Sequence, residues 1–537
     1  MPWGGGCARD PVFDELVAAS GEGGAPVAMT LPARLACCLV TPVLLMACFP
    51  DIDQGWLAWV ALVPLLLACR GQRWLAAGAL GLASGGGAIV AVFPWIFVID
   101  GFRAYHMGIF ALYFGGFTAL WCANQTLLRR GRVPVLATVP ALWVALDYLK
   151  VNAGFMAFPW ATLAQSQHAY PVLLQAAAIT GEYGPTFLVV MVNVAVADWI
   201  SDGRRAVPKI AVAGAAVALA AAWGVREMSA GEPAAGTVRV AAVQPSMLLE
   251  ERASASGRAA MQQRLERLTR EAARSRPDLI AWPETAVRDL DGDPDLLERL
   301  RALAREVGAP LVVGASDAAK FAGPGEGTYE LRQHNSAYFV EPGQRLAPPY
   351  RKNILVPFGE ILPLEATVTW PVWLVPRLMK VIPGSGYELF RLPGGTPFSV
   401  IICWENLFAG YVRRMVGSGA RIVVHISNDN WFGRTAAPRQ HAMASVLRAI
   451  ENRTPLLVAS NTGPSQIIDG HGRVVAAQAG LFTSGVVTAD VDLASTRTFY
   501  TRWGDAFAWA AICLACIGCF DALASAGRRR GRTSLER

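Results

Sequence analysis

Apolar positions crowd the two ends of this chain and thin out in its middle. From residue 31 to about 226 they run almost unbroken, from about 227 to 502 they alternate with charged residues, and from 504 to 525 they close up again. A helix crosses a bilayer with roughly 20 mostly apolar residues. On that measure the segments near 31–49, 54–69, 74–98, 104–128, 133–151, 172–200, 209–226 and 504–525 predict eight spans. The stretch between the last two has other periods. Strand-like runs at Thr237–Gln244, Leu279–Glu284, Pro310–Ala315, His334–Val340, Phe398–Cys403, Arg421–Ser427 and Pro455–Ser460 are separated by helical segments. Met261, Leu265, Leu268 and Ala272 recur at helical spacing as one apolar stripe, with Arg264, Glu266, Arg267 and Arg270 on the other faces, and Ala437–Asn452 predicts another helix. Strands interleaved with helices imply a layered α/β architecture. The expected organisation is a disordered N-terminal extension (1–30) and a polytopic α-helical membrane domain of about seven helices (31–226). An α/β domain (227–502), a C-terminal transmembrane helix (504–525) and a basic tail (526–537) complete it.

Composition agrees. Hydrophobic residues make up 53% of the 537 and charged residues only 17%, below the ~25% of soluble domains. The net charge of +7 does not point to nucleic acid, because much of it sits in short loops and in the run Arg528–Arg529–Arg530–Gly531–Arg532. Arg70 and Arg73, then Arg129, Arg130 and Arg132, then Arg204, Arg205 and Lys209 fall in alternate loops, and the loops between them carry little. Cytoplasmic loops retain Lys and Arg. Both termini are therefore expected in the cytoplasm and the α/β domain on the opposite, periplasmic side of a bacterial inner membrane. Residues 1–28 lack a signal-peptide core.

Ten cysteines are present, but only Cys403 lies in the polar middle, at the end of a strand-like run and ahead of Trp404-Glu405-Asn406. A lone thiol at a strand-to-loop transition is either a filler in a buried strand or a nucleophile. Glu284, in Ala281-Trp282-Pro283-Glu284-Thr285, and Lys352, in Tyr350-Arg351-Lys352-Asn353, change the balance. A carboxylate can take the thiol proton, the thiolate can attack a carbonyl, and the ammonium can stabilise the oxyanion with help from the Trp404 amide. Glu360 and Glu405 are placed to orient Lys352 or shuttle protons.

These residues resemble the nitrilase superfamily, through Trp282-Pro283-Glu284, Tyr350-Arg351-Lys352 and Ile402-Cys403-Trp404-Glu405. Within it the chain resembles the apolipoprotein N-acyltransferases. That likeness rests on Val243-Gln244-Pro245, His334-Asn335-Ser336-Ala337-Tyr338, Val356-Pro357-Phe358-Gly359-Glu360, Ser427-Asn428-Asp429-Asn430-Trp431-Phe432-Gly433, Gln440-His441 and Arg448-Ala449-Ile450-Glu451-Asn452-Arg453. Phe93-Pro94-Trp95, Phe158-Pro159-Trp160 and Thr180-Gly181-Glu182-Tyr183-Gly184 extend it into the membrane segments. The resemblance implies a nitrilase-like αββα sandwich and a Glu284–Lys352–Cys403 triad supported by Glu360 and Glu405; the six histidines show no zinc spacing and no Gly-rich nucleotide loop is present, so no cofactor or metal is expected. It also implies a phospholipid acyl donor, a cysteine thioester, and a diacylated apolipoprotein whose N-terminal amine accepts the chain. After Val-Gln-Pro the chain reads Ser246-Met247-Leu248-Leu249, where the family often has Asn followed by Lys-Trp, so no binding residue is carried over there.

Between Glu360 and Cys403 lies Trp370-Pro371-Val372-Trp373-Leu374-Val375-Pro376-Arg377-Leu378-Met379-Lys380. Either it is a core segment or, as we expect, a lid dipping toward the bilayer through Trp370, Trp373 and Leu374, with Arg377 and Lys380 at phosphate level. Trp95 and Trp160 read first as interfacial aromatic-belt residues, the other reading being a role in shaping a lipid-entry face beneath the α/β domain. Cys513, Cys516 and Cys519 suit a helix packing face better than a metal, and His441 is expected to support the fold. Two other readings remain open: a membrane-tethered amidase that uses water as acceptor, and an inactive scaffold, which the intact triad disfavours.

Overall fold

The computed structural model describes residues 29–535 apart from 231–234, 249, 252–253, 323–328, 344–345, 376–378 and 479. Residues 1–28 of the expected extension and Arg377 of the expected lid lie outside the described residues. Apolar helices fill the N-terminal half: α1 (Leu31–Ala47), α2 (Trp74–Val92), α3 (Ala104–Leu128), α4 (Val135–Val151), α5 (Tyr183–Asp202) and α6 (Val207–Ser229), with shorter helical turns between them. Among the described residues, four stretches are long and apolar enough to cross a bilayer. These are Trp74–Val92, Ala104–Leu128, Ala506–Ala526, and Tyr183–Ser229, in which α5 and α6 meet at a turn over Gly203–Ala206.

Backbone chemistry shortens the other segments. The stretch near 54–69 divides into Gly55–Leu57, Ala58–Ala61 and Val63–Cys69, the last opening on Pro64, which has no N–H to donate. Helix α2 stops at Val92 and gives way to a 3-10 turn, Pro94–Val98. Near 172–200 two single turns precede α5, and Gly181, which ends the second of them, takes φ 62°, a conformation that suits glycine. Where α2 meets α3, a Cβ on Gly85 would lie 2.6 Å from the Thr118 Cβ, so glycine permits close backbone approach.

The α/β domain holds β1 (Thr237–Gln244), β2 (Leu279–Ala281), β3 (Val287–Arg288), β4 (Leu311–Ala322), β5 (Tyr329–Val340), β6 (Tyr350–Arg351), β7 (Phe390–Arg391), β8 (Pro397–Ile402), β9 (Ile422–Ser427), β10 (Leu456–Ser460), β11 (Gln466–Ile468), β12 (Val474–Ala477) and β13 (Gly485–Asp492). One sheet runs β13-β1-β2-β4-β5-β6, with β3 on β4, and the other runs β12-β11-β10-β9-β8-β7. The two-residue period of the strands makes the layers. Val240 and Ala242 of β1, with Val312, Ala337 and Phe339, face the second sheet's Phe398, Val400, Val424 and Leu457. The alternate residues Ala241, Val243, Val313 and Tyr338 pack outward against α7 (Ala255–Ala273) and α8 (Pro294–Val307). On the second sheet's outer face lie α9 (Ala409–Gly417) and α10 (Ala437–Asn452). The result is an αββα sandwich, closed by α11 (Ala506–Leu535) returning to the membrane helices.

Helix α10 is buried on every side, with only Arg439 exposed. It lies between the sheet and the membrane domain. Trp95 Nε1 donates to Gln440 Oε1 at 3.0 Å, while Gln440 Nε2 donates to the carbonyls of Pro50 and Val92, both at 3.2 Å. Trp160 stacks on His441 at 5.3 Å, and both tryptophans meet Phe432 edge-on. The belt reading of Trp95 and Trp160 is therefore corrected: both are 5% exposed and form the seam between the two domains.

Candidate active site

Strand β8, paired with β7 and β9, delivers Cys403 to its C-terminal end, where the chain turns into a 3-10 helix over Cys403–Leu407. Cys403 takes φ 54°, a left-handed conformation that non-glycine residues adopt only when their surroundings enforce it. Glu405 does much of that enforcing. Its Oε2 accepts from the Ile402 amide at 2.8 Å and from the Tyr350 hydroxyl at 2.6 Å, and its Oε1 from the amides of Asn353 at 2.7 Å and Ile354 at 3.0 Å. A buried carboxylate with four donors locks the strand entering Cys403 to the segment leaving Lys352. Glu405 feels the Lys352 charge, but its hydrogen bonds go to backbone amides and the Tyr350 hydroxyl, whereas the ammonium donates to Glu360. Neutral His425, taken down to about 3 by burial with help from His441, donates Nε2–H to the Cys403 carbonyl at 2.8 Å.

Lys352 and Glu284 come from the other sheet. Strand β5 carries Asn335, whose carbonyl accepts from the Lys352 amide at 2.8 Å and whose side-chain amide donates to Glu284 Oε1 at 2.6 Å. One residue thus fixes both the Glu284 carboxylate and the Lys352 backbone. Lys352 Nζ donates to Glu360 Oε1 at 2.7 Å and lies 3.9 Å from Glu284 Oε1, with all three groups buried. Glu360 is tied in turn by the Val356 amide at 2.8 Å.

The electrostatics match. Burial raises the Glu284 carboxyl above its ordinary range; Lys352 and the Asn335 bond pull it down, while Glu360 pushes it up. Burial alone would lower the Lys352 ammonium, but Cys403, Glu360 and Glu284 together raise it, so it stays charged. Burial and Glu284 push the Cys403 thiol well above its ordinary value, with Lys352 opposing. The site sets a thiol with a raised pKa beside a cation and two acids. It can attack an ester carbonyl only if a base removes the thiol proton as the bond forms. The first amides of a 3-10 turn have no partner within it, which leaves the Trp404 N–H a candidate oxyanion donor.

Glu284, Lys352, Cys403 and Glu360 therefore converge, and Glu405 supports them through the backbone. The arm is separate. Trp370 packs edge-on against Phe358 at 5.0 Å, Val372 and Trp373 are 88% and 58% exposed, and Leu374 is half-buried. Its Trp373 carbonyl accepts from the Tyr105 hydroxyl at 2.6 Å and from His106 Nε2 at 3.0 Å, at the start of α3. Sequence reasoning gave Asn335 and His425 no role. Asn335 lies in the His334–Tyr338 motif, and His425 is a polar interruption of the apolar run Val423–Ile426. Asp429 was missed too: its carboxylate holds His441 Nδ1 at 2.8 Å and the Ser460 hydroxyl at 3.1 Å. Trp160 borders a half-open, mostly apolar cavity of about 130 Å³ among the membrane helices, lined also by Leu45, Ile89, Phe93, Trp143 and the Asp147–Lys150 pair.

Sequence comparison adds two family profiles: carbon-nitrogen hydrolase over residues 239–501 and apolipoprotein N-acyltransferase N-terminal domain over residues 42–195. Proteins named apolipoprotein N-acyltransferase are similar along most of the chain. That of Geobacter metallireducens is 32% identical over 89% of this chain and 93% of its own length. That of Gloeobacter violaceus is 29% identical over 90% and 93%. A solved amidase of Nesterenkonia sp. AN1, carrying acrylamide on its active-site cysteine, covers 50% of this chain and 96% of its own, at 18% identity and a TM-score of 0.35.

Proposed function

The chain belongs to the apolipoprotein N-acyltransferase family, and from that premise we propose how its own residues carry out the transfer. Glu284 takes the Cys403 proton while the sulfur attacks the ester carbonyl of a phospholipid. The carbonyl oxygen gathers negative charge beside the Lys352 ammonium and the Trp404 N–H. Collapse breaks the ester C–O bond, Glu284 returns the proton to the leaving alkoxide, and a lysophospholipid departs from an acyl thioester on Cys403. The α-amine of a lipoprotein's diacylglyceryl-cysteine then attacks that thioester. Glu284 accepts the amine proton, an amide forms, and the proton passes to the released thiolate. Glu360 holds Lys352 charged and in place, and Glu405 keeps the nucleophile turn against the Lys352 segment.

The observation that carries this reading is the meeting of Glu284, Lys352 and Cys403 behind an aromatic seam shared with apolar membrane helices. Both acyl carriers are lipids, and a site set against apolar helices keeps water from the thioester. We infer that the catalytic domain faces the periplasm and that both termini are cytoplasmic, which the alternating basic loops support. The arm bearing Trp370, Trp373 and Leu374 acts as a lid at the bilayer, moored to Tyr105 and His106. The test is intact-mass analysis after incubation with defined phospholipid. A fatty-acyl adduct on Cys403, discharged by a diacylated lipopeptide amine as the amide, is expected. An adduct that is lost only to water would instead mark an amidase.

A further inference from the structure

The nucleophile turn is held from behind by α10, and α10 is held by the membrane domain. Asn406 Nδ2 donates to the His441 carbonyl at 3.0 Å and to Ser445 Oγ at 3.1 Å. One residue further on, the Leu407 carbonyl closes the turn and accepts from Arg448 Nη1 at 3.0 Å. Arg448 Nη2 donates in turn to Glu182 Oε2 at 3.1 Å and Glu451 Oε1 at 2.9 Å, and the Glu182 amide donates to the same Glu451 oxygen at 3.0 Å. Glu182 directly precedes α5. The side chains of Arg448, Glu182 and Glu451 are all fully buried.

We propose that Arg448 is a positioning residue that sets the Cys403 turn by the start of membrane helix α5, through Glu182 on one side and the Leu407 carbonyl on the other. Its planar guanidinium suits the task. It can serve a carboxylate at one nitrogen and a carbonyl at another in fixed geometry, which the point charge of an ammonium cannot reproduce. A counterion needed only for stability would require neither the Leu407 bond nor a partner at the mouth of a membrane helix. Cys403 sits in a conformation its surroundings must enforce, so loosening the far end of its turn should change how the thiol meets an electrophile.

The inference rests on Cys403 being the nucleophile, and the experiment separates the two. The purified full-length protein in nanodiscs is treated with iodoacetamide across neutral to alkaline pH, and alkylation at Cys403 is followed by peptide mass alongside acyl transfer. Glu182→Gln keeps the shape and removes the charge, and Arg448→Lys keeps the charge and removes the fork. Both are expected to slow alkylation and kcat together by roughly tenfold, with the KM for phospholipid unchanged. Leu265→Ala, destabilising but remote, should alkylate at the parent rate. Parent-like alkylation in either folded variant, or a lowered kcat without slower alkylation, overturns the positioning role. If alkylating Cys403 in the parent leaves acyl transfer intact, the catalytic reading fails instead.

Discussion

Helices α7 and α10 cover opposite faces of one sandwich, and their ion pairs show how differently they are used. On α7, Arg270 meets Glu306 of α8 at 2.7 Å with both side chains about half exposed, 48% and 52%. On α10, Arg448 meets Glu182 at 3.1 Å with both at 0%. Helix α7 buries a stripe of Met261, Leu265, Leu268 and Ala272 with two polar neighbours, whereas α10 buries Gln440, His441, Ser445, Arg448, Glu451 and Asn452 along with its apolar residues. A helix polar on several faces is unstable in a core unless it bridges two bodies that satisfy those groups. The membrane domain supplies the second body. The solvent-side helix stabilises the sandwich, while the membrane-side helix also wires the site.

The sharpest break of this contrast comes from matched acid substitutions. Glu284→Gln, beside Lys352, removes the proposed base and should lower the rate of Cys403 acylation by roughly a hundred- to ten-thousandfold. Glu266→Gln, on α7 with Arg299 at 2.6 Å, should leave that rate unchanged. Because burial raises Glu284 above the ordinary carboxylate range, the acid limb of kcat/KM should also lie above that range: protonating Glu284 removes the base. A limb at ordinary carboxylate pH would assign the base elsewhere.

Next in size is a pair of core truncations. Leu265 of α7 and Leu447 of α10 are both fully buried. Replacing either with Ala should cost about 2–5 kcal/mol in thermal or denaturant unfolding. Only Leu447→Ala should also lower kcat at temperatures where the protein stays folded, since α10 holds Asn406 and Leu407. Equal kcat in the two variants would mean that the sandwich faces are interchangeable.

That asymmetry marks where the sequence could be read and where it could not. Strand period, the Met261–Ala272 stripe and the bounds of Ala437–Asn452 were legible because sheets and solvent-facing helices write their burial into alternation and spacing. The convergence of Glu284, Lys352 and Cys403 was legible as chemistry. The burial of α10 was not, because hydropathy records avoidance of water and says nothing of a polar group satisfied by another domain. Trp95 and Trp160 show the same limit: a tryptophan at a helix end reads as interfacial until a soluble domain covers it. Asn335 escaped because its two bonds exist only once β5 sits between the segments bearing Glu284 and Lys352.

A smaller effect is expected in the pH dependence of stability, with opposite signs on the two faces. Burial pushes Glu451 up to about 8, with Arg448 opposing and Glu182 reinforcing. A folded value above the unfolded one means that the folded state holds the proton longer. Its contribution is complete below the ordinary carboxylate pKa and is lost as pH rises through about 8. Glu451→Gln should therefore flatten the decline of the melting temperature between mildly acidic and mildly alkaline pH. Glu306 behaves in reverse, because Arg270 holds it below its ordinary value. Its contribution is present above the unfolded pKa and is lost as pH falls through the folded one.

The smallest expected effect is the most exposed. Arg270→Ala removes both the Glu306 pair and a longer contact to Glu266 at 3.8 Å, in side chains that water and salt already screen. At physiological ionic strength the melting temperature should fall far less than in Leu265→Ala, and the rate of Cys403 acylation should stay at the parent value. The result matters because Arg270 and Arg448 are the same residue type, each bridging two carboxylates from one helix. If Arg270→Ala lowered stability as much as Leu265→Ala, burial would not be what separates the two arginines, and the membrane domain would lose its claim to have made one of them part of the catalytic frame.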